Sequence, residues 1–154
     1  MKKFILLLLI ASVGVAACKK EKKSSSRVDK PIAEAIKGTW FTTAESREYF
    51  DANNQKVFTQ TIEPGWKYTF DDNLRIWNPQ GVRQLLTVYT IANANGKNYL
   101  QYEEKGVSKS AEIVSMEQET MTLRQEATNV QYDDNGVKTA AKMVKVMDFH
   151  CPCK

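Results

Sequence analysis

Reactive side chains are few in this chain, and they cluster at its two ends. The C-terminal stretch "HCPCK" holds the only histidine, His150, next to Cys151 and Cys153. Three such groups can hold a soft metal ion, but a structural zinc site needs a fourth ligand and no second histidine exists. Residues two apart in an extended chain sit near the upper limit of disulfide Cα separation, and Pro152 supplies a bend. An oxidising compartment therefore favours a Cys151–Cys153 disulfide, within or between chains, over free thiols or a metal, and no metal ligand is assigned. The carboxylate pairs Asp71-Asp72, Glu103-Glu104 and Asp133-Asp134 sit at turns or strand ends. Neighbours on a strand face opposite ways, so these pairs do not converge for acid–base work. With one histidine and no glycine-rich phosphate loop, the expectation is no enzyme activity and no cofactor.

The third cysteine ends the N-terminal stretch "LLLLIASVGVAACKKEKK". Lys2 and Lys3 precede an uncharged run from Phe4 to Ala17, which is short for a membrane span of about 30 Å. That pattern is a secretory signal. Val15-Ala16-Ala17-Cys18 resembles the lipobox of bacterial lipoproteins. The resemblance implies diacylglyceryl transfer to the Cys18 sulfur, removal of residues 1–17 and acylation of the new amine. Several acyl chains on one residue give stable anchoring. Residues 18–30 follow as lipidated cysteine and tether. The tether lacks large apolar residues apart from Val28, so it is expected to be disordered, with a reach on the order of 40 Å. Its lysines either touch anionic lipid heads or only keep the segment solvated. Lys19 replaces the aspartate that would resemble an inner-membrane retention signal, so the expected location is the outer membrane of the cell envelope, on its periplasmic side or at the cell surface. A charged run after the cysteine resembles lipoproteins of the Bacteroidota.

Removing the signal and the tether leaves about 120 residues, enough for one core. The net charge of +4 owes two units to Lys2 and Lys3. No basic patch remains to suggest a nucleic-acid partner.

The elements that must position any site in residues 31–154 read as a short helix and then strands. "DKPIAEAIKG" suits a helix capped by Asp29, with Pro31 early and Gly38 at the exit. Alternating runs follow at 39–50, 57–62, 66–70, 74–78, 83–92, 98–104, 108–116, 120–129 and 140–149. They are rich in Thr, Tyr, Val, Ile and Trp and are punctuated by Asn, Asp and Gly clusters. Short loops predict an antiparallel up-and-down meander. Closure into an all-β barrel of about eight strands removes the open edges, and a two-sheet sandwich is the alternative.

Gly38-Thr39-Trp40, placed after a helix and before the first strand, matches the Gly-x-Trp that begins the barrel in lipocalins. With "WKYTFDDNLRIW", "YTIANANGKNYLQY" and "AEIVSMEQETMTLRQE" it resembles the lipocalin-like lipoproteins of the Bacteroidota over residues 32–149. The Thr-Asp-Tyr-type motif of animal lipocalins is absent. Lys142 and Lys145 stand near the position of the arginine that stacks there on the motif tryptophan. The resemblance implies a barrel with Trp40 plugging its closed end. Tyr68, Phe70, Tyr89 and Tyr99 are the candidate ligand contacts if they line an apolar cup. The expected function is binding of a small apolar or amphipathic ligand by a membrane-anchored barrel. The alternative is a filled barrel that contacts a protein or an envelope polymer.

Overall fold

The computed structural model describes residues 30–152. The expected signal, Cys18, the expected tether up to Asp29, and Cys153 lie outside the described residues. One short helix, α1 (Ile32–Ala35), leads into ten strands. Pro31 stands at its N-cap, where a missing N–H costs nothing. Gly38 opens β1 (Gly38–Phe50) at φ 126°, a conformation that side chains with a Cβ rarely adopt.

The remaining strands are β2 (Lys56–Ile62), β3 (Lys67–Phe70), β4 (Leu74–Trp77), β5 (Arg83–Thr87), β6 (Tyr89–Ala94), β7 (Lys97–Glu104), β8 (Val107–Met116), β9 (Thr120–Asp133) and β10 (Val137–His150). All pairings are antiparallel, in the order β5-β4-β3-β1-β10-β9-β8-β7-β6, with β2 added to β1. The first and last strands pair, so the sheet curls into a nearly closed barrel of nine strands. Its seam falls between β5 and β6, which Val88 alone joins along the chain. The expected run 83–92 is thus two strands. Several turns follow residue type: Asn95-Gly96 and Asn135-Gly136 have positive φ, as tight hairpins require.

β1 is the hinge of the design. Residues 38–41 pair with β3, and residues 45–50 pair with β2. Between them the register shifts at Thr42/Ala44. Thr42 holds the connecting segment of the opposite strand: its Oγ1 accepts from Trp66 N–H at 2.9 Å, and its carbonyl accepts from Gly65 N–H. The Pro64-Gly65 break therefore lies opposite the bulge. The bulge changes which residues face inward. Trp40 and Thr42 point in before it, and Glu45, Arg47 and Tyr49 after it.

The core fills the end of the barrel next to α1. Ile36, Trp40, Phe70, Leu74, Leu100, Met121, Leu123 and Phe149 are fully buried there. Trp40 is 0% exposed, and its indole N–H donates to the Ile36 carbonyl at 2.7 Å, tying the helix to the barrel end. The outer wall is charged: Glu112 pairs with Lys97 at 2.8 Å and lies 3.9 Å from Arg124, which also pairs with Glu126.

Candidate functional site

Above the packed end the interior opens into a cup of about 330 Å³. Every barrel strand except β6 contributes to its wall, so the cup is the barrel's own lumen. Tyr68, Ile76 and Leu85 form its apolar floor, Trp66 and Tyr102 stand on the sides, and Glu104, Lys105 and Lys109 lie toward the rim. The volume is at the small end for a ligand site. It accommodates roughly ten non-hydrogen atoms, taking each as water-sized.

A polar layer crosses the lumen. The register places Arg47 of β1 beside Lys145 of β10, and Lys145 beside Gln125 of β9. Glu45, one inward position away, is 3% exposed. Its Oε1 accepts from Arg47 Nη2 at 3.0 Å and pairs with Lys145 Nζ at 3.2 Å. A buried carboxylate is tolerable only with such partners. Burial lowers the Lys145 pKa, Glu45 partly restores it, and Arg47 lowers it further. Burial pushes the Tyr102 phenol up to about 12, with Glu104 and Glu45 adding to the rise. Tyr68 is shifted up further still, again mainly by burial. Its hydroxyl lies 3.7 Å from the Met147 sulfur.

The four expected contacts are not brought together in this cup. Tyr68 lines it. Phe70 lies beneath, fully buried in the core. Tyr89 packs edge-on against Phe70, with ring centres 5.4 Å apart, and donates to the Asp71 carbonyl at 3.0 Å. Tyr99 alternates with Leu100, whose side chain fills the core, and so faces outward beside Glu112. Tyr89 instead borders a broad surface groove of about 470 Å³ with Val88, Thr90, Gln101 and Ser108. That groove is larger, but its open, hydroxyl-rich wall encloses a ligand poorly. Sequence reading missed Trp66, Tyr102, Glu45, Arg47 and Lys145. The odd spacing between inward Trp40 and inward Tyr49 was the available signal for the bulge.

Lys142 lies over Phe50 at 4.8 Å, and Lys145 is engaged with Glu45; Lys67 lies over Trp77 at 4.1 Å. At the C-terminal end, Cys151 is disulfide-bonded and 3% exposed, packed in the core cluster with Trp40. The other two cysteines of the chain, Cys18 and Cys153, lie outside the described residues. Cys151 N–H donates to the Glu119 carbonyl at 2.8 Å, which holds the terminal segment against the barrel. No cluster of three metal-binding side chains occurs among the described residues. No protein-family profile, curated protein or solved structure matches the chain.

Proposed function

We propose that this chain is a lipid-anchored lipoprotein of the cell envelope whose barrel binds a small amphipathic ligand without transforming it. The lumenal cup carries this reading: an apolar floor under a ring of polar groups, walled by eight of the nine barrel strands. Such a composition suits a molecule with an apolar body and one polar end. The signal-like run ending at Cys18 supports the anchor, and the resemblance to lipocalin-like lipoproteins agrees with both features.

Native mass spectrometry of the protein purified from its own envelope tests the ligand reading. A retained small molecule, released on denaturation, is the expected result. A bare polypeptide that also fails to take up added amphiphiles contradicts it. A second reading, a docking lipoprotein, draws on Val82, Leu86 and Val88, which are half or more exposed near the β5 edge. It predicts a co-purifying protein or polymer in the same spectrum.

A further inference from the structure

The side chains that wall the cup carry more positive than negative charge. Arg47, Lys105, Lys109 and Lys145 are cationic; Glu45 and Glu104 are anionic. Arg47 and Lys145 converge on the same atom, Glu45 Oε1. One carboxylate oxygen therefore serves two cations at the wall of the cup. Arg47 Nε is buried and has no hydrogen-bond partner among the described residues. A buried charged donor without an acceptor is costly, so Glu45 leaves this pair of cations under-neutralised.

The rim repeats the bias. The β9–β10 turn, at this end, places asparagine before glycine, Asn135-Gly136. The β7–β8 turn instead has Lys105 at φ 52°, a left-handed position where asparagine is more at ease. That lysine lines the cup.

We propose that the ligand is an amphipathic anion, its carboxylate or equivalent head held by Arg47 and Lys145 and its apolar tail laid on Ile76 and Leu85. This rests on the reading of the cup as a ligand site. The anionic head meets the exposed part of the Arg47 guanidinium and Lys145, and so shares the two cations with Glu45. A neutral head balances no charge, and a cationic head is repelled. The cup encloses roughly ten non-hydrogen atoms, the size of a medium-chain acid.

Calorimetric titration of the purified full chain with octanoate, 1-octanol and octylamine separates the possibilities, because the three share one tail. Octanoate is expected to bind about tenfold or more tightly than octanol, the effect of one charge-assisted hydrogen bond, with octylamine weakest. Equal binding of octanoate and octanol overturns the anionic preference and leaves the ligand cup standing. Failure of all three to bind overturns both.

Arg47→Met and Lys145→Met are each expected to weaken octanoate about tenfold while changing octanol by less than about twofold. Octanol binding then reports an intact barrel. Glu45→Gln removes the competing carboxylate and is expected to tighten octanoate. A loss in that variant, or parallel losses of both ligands in the two methionine variants, overturns the assignment.

Discussion

Glu45 is the residue on which the polar layer depends. Its carboxylate is the counter-ion for both Arg47 and Lys145, so Glu45→Gln leaves two cations facing each other in the lumen. Breaking a fully buried pair costs about 3–5 kcal/mol; the Arg47 side chain is 35% exposed and the cup is open, so a loss of roughly 1–3 kcal/mol is expected by urea denaturation. A domain of ordinary stability survives that.

The same layer gives stability a characteristic pH dependence. Lys145 has a folded pKa below its ordinary 10.5, so in that window the unfolded chain binds more protons and stability rises with pH. Tyr102 and Tyr68 have folded pKa values above the ordinary 10, so the unfolded chain releases their protons first and stability falls above about pH 10. The charged groups Glu45, Arg47 and Glu104 act on both sides of this balance. Denaturation at a series of pH values should show the rise, and Lys145→Met should remove it while keeping the alkaline fall. An unchanged profile in that variant would place the rise elsewhere. In a spectroscopic titration of the native protein, Tyr102 should ionise near pH 12 and Tyr68 later still, and both should revert to about 10 on unfolding.

At the scale of elements, β1 shows how far the residues alone could be followed. Its strand character, its start at Gly38 and the inward Trp40 are legible because Thr, Trp, Phe and Tyr recur after a glycine. The bulge at Thr42/Ala44 is only faintly marked: no glycine or proline flags it in β1 itself, and the odd Trp40–Tyr49 spacing signals it only once both rings are known to face inward. Its partner signal, Pro64-Gly65, lies on the other strand. Without the bulge, strict alternation from Trp40 puts Glu45 and Arg47 outside, where charged residues normally belong, and the lumenal charges disappear from view. Tyr99 illustrates the same weakness: an aromatic on a strand carries no mark of which face it occupies. The split of 83–92 into β5 and β6 was hidden because Val88 is as strand-like as its neighbours.

Two substitutions test these placements. Trp40→Ala removes a fully buried ring and the bond to the Ile36 carbonyl, and should cost about 3–5 kcal/mol. Tyr99→Ala, on the outer wall, should cost less than about 1 kcal/mol and leave ligand binding unchanged. A Tyr99 variant that loses binding would show that the outer face of β7 takes part.

For the molecule as a whole, the barrel closes between β1 and β10 and leaves its seam between β5 and β6. The packed end carries α1, Trp40 and Cys151, and the open end carries the charges. The all-β class, the meander and the short helix were readable from run lengths and turns. The division into a filled half and a hollow half was not, because it depends on how side chains of strands distant in sequence meet. Anchoring belongs to this scale too. Cys18→Ser should move the protein from the membrane to the soluble fraction on cell fractionation; unchanged membrane retention contradicts a lipid anchor at Cys18.

The central claim is that ligand enters the lumenal cup. Amide and indole NMR shifts of the isotope-labelled protein during titration with octanoate test it most directly. The account predicts saturable shifts at Trp66, Tyr68, Ile76 and Lys145, which line the cup alone, with Val88, Thr90 and Ser108 of the surface groove unmoved. Shifts confined to the groove, or none at all, would contradict it.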